Sequence, residues 1–540
     1  MSPKYDYVIA GGGSSACVAA WRLTVEKGAR VLVLERGPSR YDWLMRLPAG
    51  YMKYLERDKF LEMHQSTPQS QLNGRAPIVP QSKVLGGGSA VNAMVYMRGQ
   101  QDDYNGWDQF LGGNSGWSYA DMLPAFRTME NNARLNNEYH GIGGPLNVTD
   151  AGFVSPATEA FILAAQQCGI PHNSDFNGAC QAGVGLMQFT IGRNRNGRLE
   201  RCDAATAFLT SAHQTGLLTV ETGATVAKIL MDKGRAVGVQ YVSNGTEHVV
   251  RPECEVLVAA GTYNTAKLLL LSGLGPADEL RDHGIPVIAD LPGVGGNLQD
   301  HHEVPVINTT HKRAMSYHGE DRGLRMLRNG LQFLAFGSGP VATIGVESCC
   351  FYDPDGGTRP TIQLYCVPTI YMDRDVEGFA ERAGVTLNSC LLRPKARGSV
   401  KLRSADPVDK PVVDLNFLGT PEDIRLSIAS MRFAREIFAS APIASMMVSE
   451  LLPGSAVQSD ADLLEFCKRQ VKTNYHPVGT ARMGREGDSE AVLDTKMCVR
   501  GVTGLRVIDC ASIPFIPSAN TNAVALALGW RAYDMIMSSS

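Results

Sequence analysis

The stretch Tyr5–Glu35, YDYVIAGGGSSACVAAWRLTVEKGARVLVLE, decides how the amino-terminal half of the chain folds. Tyr5–Ala10 reads as a short buried strand, being rich in β-branched and aromatic side chains. Gly11-Gly12-Gly13-Ser14-Ser15-Ala16 follows at once; Cys17–Val25 then reads as a helix and Arg30–Leu34 as the next strand, which ends in Glu35. This is a complete βαβ unit with a glycine loop at its first turn. Gly11 permits the tight turn, Gly13 lets the backbone approach a pyrophosphate, and Ala16 keeps helix and strand close. Amides around Ser14 and Ser15 open the helix, whose positive dipole end faces the phosphates. Glu35 is placed to accept hydrogen bonds from ribose hydroxyls. A lone glycine pattern is weak evidence, but here strand, loop, helix, strand and acid all fall in register. The unit predicts dinucleotide binding and leaves FAD or NAD open.

Working outward, 540 residues exceed what one small core needs, so two substantial domains or one large composite fold are expected. A charged fraction of 19% is ordinary for a globular protein, and a formal net charge of −3 argues against a broad grip on nucleic acid. Twelve cysteines lie scattered without a CxxC pair, which predicts reduced, buried thiols rather than a disulfide framework, and no metal cluster. No signal peptide and no apolar run of membrane-spanning length is visible, so a cytoplasmic location is expected, with peripheral membrane association open.

A second glycine loop, Gly86–Gly88 followed by Ser89, lies within VLGGGSAVNAMVYMRG, and its backbone can press flat against a planar or phosphorylated group. Further along come GTYNTAKLLLLSGLGP (Gly261–Pro276), GVGGNLQDHH (Gly293–His302), NYHPVGTARMG (Asn474–Gly484) and VIDCASIPFIPSANTNA (Val507–Ala523). Through these ordered motifs the chain resembles the glucose–methanol–choline (GMC) oxidoreductases from Tyr5 to about Met535. The resemblance implies FAD as cofactor. It places Gly11, Gly13 and Ala16 at the pyrophosphate, Glu35 at the ribose, and Gly87, Ser89, Asn92 and Ala93 along the isoalloxazine. Val226 then meets the adenine, while Asp509 and Asn522 contact the ribityl and flavin end. Val91 stands where some members carry a flavin-linked histidine, so FAD is expected to be non-covalent. Ala266 replaces a usual proline, which affects only local helix geometry.

His476 sits beside Pro477 and close to Gly479, hence on a loop or strand end. Asn520–Met535 reads as a final helix, and an asparagine at its start is ordinarily an N-cap. One cap explains one asparagine, not both Asn520 and Asn522. The resemblance implies His476 as catalytic base and Asn520 as its hydrogen-bond partner.

The expected fold is α/β: a Rossmann-like FAD-binding domain (1–155, 200–302 and 459–540) plus an α+β, sheet-and-helix substrate-binding cap (156–199 and 303–458), discontinuous in sequence. Within the cap, Thr361–Pro368, Gly384–Pro394 and Val400–Ser404 read as strands and Glu422–Phe438 as an amphipathic helix. Tyr475 and Glu347 are candidate substrate contacts, with Tyr371 and Met372 behind them. Glu347 is the more informative, since a buried carboxylate could hold a cationic or polyhydroxy substrate. The resemblance is to the choline, L-sorbose and polyethylene-glycol dehydrogenase branch. It implies oxidation of a primary alcohol, sugar or polyol, with an external acceptor (quinone, dye or O2). An oxidase and a lyase with non-redox FAD are the alternatives on the same fold.

Overall fold

The computed structural model describes residues 4–39, 42–52, 58–194, 196–372 and 382–539. The strand Tyr5–Ala10 pairs in parallel with Val31–Glu35 on one side and Pro252–Val258 on the other. Leu218–Thr222 and Leu505–Val507 complete a five-stranded parallel sheet at its two edges. Its strands therefore run third, second, first, fourth, fifth in chain order. The order reverses between Tyr5–Ala10 and Pro252–Val258, and a sheet of this kind binds its ligand in the crevice at the carboxyl ends there. Gly11 and Ala259-Ala260-Gly261 emerge side by side at that crevice.

The two central strands carry no polar side chain between Val8 and Ala10 or between Val31 and Leu34, because both faces of the sheet are covered. One covering helix is Ser14–Val25, which starts three residues before the expected Cys17. The final helix, Asn522–Met537, packs against it. Gly529 makes that approach possible: a Cβ there would sit 2.2 Å from the Ser15 carbonyl oxygen.

A second, antiparallel layer forms the cap. Its strand order is Ser449–Leu452, His302–Thr309, Gly384–Leu391, Ile362–Val367, Ser348–Tyr352 and Gly183–Leu186. The helix Pro421–Ala439 lies on this sheet, buries Leu426, Met431, Ala434 and Ile437, and brackets the expected Glu422–Phe438. The helix Asp460–Gln470 packs on it in turn, with Leu463, Phe466 and Cys467 buried in the same core as Met431. Lys472–Thr473 then pairs with His302–Glu303. The chain accordingly leaves the cap layer only after Thr473, beyond the expected boundary at 459, and three residues later reaches His476.

None of the twelve cysteines is in a disulfide. Cys180 and Cys254 are exposed, so the expectation of buried thiols fails at these two positions. Among the described residues no helix is long and apolar enough to cross a membrane, and no His/Cys/Asp/Glu group could hold a metal ion.

Candidate active site

A cavity of about 670 Å³ runs from the crevice of the parallel sheet to the cap sheet. At one end its walls are backbone. Gly11 has φ +107°, and a Cβ there would lie 2.2 Å from the Ala259 carbonyl oxygen. A Cβ on Gly13 would meet nothing closer than 3.8 Å, so this glycine leaves open space beside the cavity rather than filling a tight corner. The second glycine loop docks onto the first: Gly86 N donates to Gly12 O at 2.8 Å, and a Cβ on Gly87, at φ +58°, would sit 2.7 Å from Gly13 Cα. Glu35 holds this arrangement, accepting from Gly12 N at 2.9 Å and from Gly37 N at 2.7 Å. Arg36, Lys83 and Lys267 stand in the same wall.

Of the expected cofactor residues, Gly11, Gly13, Ser14, Ser15, Glu35, Gly87, Asn92, Ala93, Val226, Asp509 and Asn522 line this cavity. Two do not. Ala16 is wholly buried between helix and sheet, and Ser89 turns its hydroxyl inward, donating to Gly86 O at 2.6 Å and accepting from Ala204 N at 2.9 Å. Both support the loops from behind. Asn92 Oδ1 accepts from Met94 N and from Arg201 Nη1, each bond fixing the loop beneath it. Asp509 accepts from Gly261 N at 2.8 Å, Thr265 Oγ1 at 2.6 Å and Ala511 N at 2.9 Å, tying the fifth strand to the crevice; burial still raises its pKa. Ser14 Oγ donates to Asn522 Oδ1 at 2.8 Å, which joins the first helix to the start of the last.

The other end is built from side chains. The final helix begins at Asn522, two residues later than expected, with Thr521 as N-cap. Asn520 is therefore outside the helix and is not its cap. Its Nδ2 donates to Tyr365 Oη at 3.0 Å and lies 3.4 Å from His476 Nε2. Tyr365 Oη also accepts from Asn474 Nδ2 at 3.1 Å and donates to Gln363 Oε1 at 2.7 Å. Asn520 Oδ1, buried in the cavity wall, has no protein partner.

His476 is held on its far side by a residue that sequence reasoning missed. Its Nδ1 lies 3.0 Å from His301 Nδ1, and His301 Nε2 lies 3.0 Å from the Leu392 carbonyl oxygen. A carbonyl only accepts, so His301 carries its proton on Nε2. Burial lowers the His301 pKa well below the ordinary value, so the ring is neutral and its Nδ1 is an acceptor. His476 must then carry its proton on Nδ1, which leaves a lone pair on Nε2 beside Asn520. Burial pushes the His476 pKa down to about 3, and the imidazole is neutral through the physiological range.

The backbone at this point is strained. Tyr475 has φ +63°, an uncommon setting for a bulky residue. Asp300 and Thr473 hold it: Thr473 Oγ1 donates to Asp300 Oδ2 at 2.5 Å and accepts from Tyr475 N at 2.7 Å, while His476 N donates to Asp300 Oδ1 at 2.9 Å. Burial raises the Asp300 pKa to about 7.

Glu347 lies elsewhere than expected. Fully buried, its carboxylate accepts from Tyr317 Oη at 2.7 Å, Thr343 Oγ1 at 2.6 Å and Thr158 Oγ1 at 2.5 Å, and it is not in the cavity wall. Three hydroxyl donors satisfy it inside the cap. Met372 is half-buried and likewise outside the wall, whereas Tyr371 and Tyr475 are in it. The carboxylate that does line the cavity on the side of the cap sheet is Glu303. Glu303 is ion-paired with Lys472, accepts from Asn388 Nδ2 at 3.0 Å, and both charged residues are buried. The Lys472 ammonium lies 4.5 Å from the Tyr371 ring centre and 5.7 Å from that of Tyr475. The signal for these residues was present: Asp300-His301-His302-Glu303 is a run of four titratable side chains leading straight into a buried strand.

The GMC oxidoreductase family profile matches residues 5–303 and again 394–529. The chain is a GMC oxidoreductase. It is 37% identical to the alcohol dehydrogenase [acceptor] of Pseudomonas putida, over 99% of this chain and 96% of that protein. It is also 37% identical to the mitochondrial choline dehydrogenase of Mus musculus, over 99% and 89% of the two chains. Among solved structures, pyridoxine 4-oxidase from Mesorbium loti superposes with a TM-score of 0.89 at 26% identity, covering 99% of this chain and 100% of that one. The cofactor of this GMC oxidoreductase is FAD, and its reaction class is oxidation of CH–OH donors. The glycine cradle, the open space beside Gly13 and the unpartnered Asn520 Oδ1 all fit such a group.

Proposed function

We propose that this GMC oxidoreductase oxidises the hydroxyl of a neutral primary alcohol, sugars and polyols included, with His476 as general base and Asn520 as the hydrogen-bond donor to the hydroxyl oxygen. The observation that carries the reading is the chain from the Leu392 carbonyl through His301 to His476, because it leaves the His476 Nε2 lone pair open to a proton beside Asn520. A substrate hydroxyl set between His476 Nε2 and Asn520 Nδ2 donates its proton to the first and accepts from the second. The 3.4 Å contact between those atoms is long for a hydrogen bond, so an alcohol oxygen displaces little in replacing it. Proton removal by Nε2 turns the carbinol into a strong hydride donor, and the Asn520 amide stabilises the negative charge that gathers on oxygen. FAD, held along the Gly11–Gly13 and Gly86–Gly88 loops, would supply the hydride acceptor for the carbinol carbon, and an external acceptor (a quinone, a dye or O2) the outlet for the electrons. Asn520, unlike a second histidine, cannot compete for the proton. Val91, in the cavity wall beside the second glycine loop, supports non-covalent attachment, since its side chain offers no nucleophile.

The neutral charge of the substrate is supported by the Glu303–Lys472 pair. Among the described residues four carboxylates line the cavity, and each is engaged: Glu35 on two amides, Glu62 on Arg36 and His64, Asp509 on Gly261, Thr265 and Ala511, and Glu303 on Lys472. A quaternary ammonium would enter a wall with no uncompensated negative charge and with an ammonium close by, a costly desolvation. Anaerobic mixing with 3,3-dimethylbutan-1-ol and with its cationic isostere choline separates charge from shape. Bleaching of the flavin band by the neutral alcohol, at least about tenfold faster than by choline, is the expected result. Equal bleaching by choline removes the charge argument, and no bleaching by any primary alcohol removes the redox reading.

A further inference from the structure

Between two strands of the cap sheet, His302–Thr309 and Ser348–Tyr352, the chain carries the helix Gly323–Phe336. It rests on the protein through very little: Asn329 and Phe333 are its only buried residues. Leu324, Leu327, Leu331 and Leu334 recur at spacings of three and four, so they form one stripe within about 80° of the helix circumference. That stripe lies opposite Phe333 and faces outward. The four leucines are 85%, 58%, 57% and 52% exposed, and Phe336 at the helix end is 80% exposed. Single exposed leucines need no explanation, but a helix apolar on its solvent face does.

The charges around the stripe are mostly positive. Residues 311–336 hold Lys312, Arg313, Arg322, Arg325 and Arg328 against only Glu320 and Asp321, in a chain whose net charge is −3. Glu320 is shared between Arg325 and Arg328, at 3.5 and 3.2 Å, and Arg322 lies 3.8 Å from Asp321. Lys312 and Arg313 are exposed on the approach to the helix.

We propose that Gly323–Phe336 is an interfacial helix that docks the protein on an anionic phospholipid surface. An outward leucine stripe edged by arginine is the composition that sinks into the headgroup–acyl boundary while its cations meet lipid phosphates. A second copy of this chain is the poorer occupant, because a two-fold contact through the stripe would set these cations against their own copies.

The test is co-sedimentation of the FAD-loaded protein with phosphatidylcholine vesicles, with and without phosphatidylglycerol. The expected result is binding to the anionic vesicles that weakens about tenfold or more when phosphatidylglycerol is omitted or salt is raised. Leu327→Gln with Leu331→Gln abolishes the binding, and Arg322→Gln with Arg325→Gln weakens it, while alcohol oxidation with a soluble dye stays at the wild-type rate in both. Wild-type protein that stays in the supernatant with anionic vesicles overturns the proposal. So does a dimer in buffer that the leucine variant dissociates, since the stripe then meets a second copy.

Discussion

The two ends of the cavity solve different problems with different parts of the chain. At the nucleotide end the working atoms are backbone: the Gly11–Gly13 and Gly86–Gly88 loops press together, and Glu35 organises their amides rather than reacting. Steric exclusion defines that end, and a single Cβ is enough to disturb it. At the other end the working atoms are mostly side chains, those of His301, Tyr365, His476 and Asn520 from four separate segments, with the Leu392 backbone carbonyl behind them. Proton placement defines that end, and a change of one donor to an acceptor is enough to disturb it. The first end should answer to volume and the second to protonation.

The largest effect is expected where the two responses separate most cleanly. His476→Ala should retain yellow FAD while the rate of anaerobic flavin reduction falls by about 10³-fold or more, read by stopped-flow absorbance. Gly11→Ala should do the opposite. Its Cβ clashes with Ala259 O at 2.2 Å in a backbone setting that disfavours side chains, so FAD retention after gel filtration falls by about 100-fold together with Tm. Gly13→Ala sharpens the contrast, because its Cβ has room in the protein itself: Tm of the apoprotein is preserved and only FAD affinity falls.

A smaller effect is expected at His301, which touches His476 and not the cavity. His301→Ala removes the acceptor that fixes the His476 tautomer, and a fall of about 10- to 100-fold in flavin reduction with unchanged FAD content is the expected outcome. The pH response carries the same signature. His301 and His476 have depressed folded-state pKa values, so their contribution to stability is present above the unfolded pKa near 6.5 and is lost as pH falls through the folded values, about 3 for His476. Flavin reduction by the folded wild type should accordingly show no histidine titration near 6.5, and since Asp300 behind His476 is itself raised to about 7, a fall in kcat/KM below that pH that persists in Asp300→Asn would contradict the assignment. The smallest effect is one of preference: Lys472→Met leaves Glu303 without its cation and should raise choline turnover relative to the neutral isostere by about tenfold.

The difference between the ends also explains what could be read from the sequence. The first part of the nucleotide site is contiguous, so Tyr5–Glu35 shows its strand, turn, helix and acid in one window, and the expected element limits shift by at most three residues at the helix start. His476 and Asn520 were legible only through the resemblance of the motifs around them. Their geometry depended on where the final helix begins, and Thr521 rather than an asparagine stands at the N-cap position. The relay residue His301 gave no local signal of direction, because its role follows from the Leu392 carbonyl 91 residues away. Glu347 misled for a related reason. A lone acid between Val346 and Ser348 does not disclose that Thr158, Tyr317 and Thr343 will converge on it, nor that Lys472 will pair with the acid that lines the cavity, Glu303.

His476, by these contacts, waits as a neutral imidazole with its proton on Nδ1 and a lone pair on Nε2. Nitrogen-15 NMR of the FAD-loaded protein, labelled at its 11 histidines and assigned by difference against His476→Ala, reads that proton directly. The account predicts a protonated Nδ1 and an unprotonated Nε2 for His476, unchanged from about pH 5 to about pH 8. An imidazolium within that range, or a proton on Nε2, would contradict it.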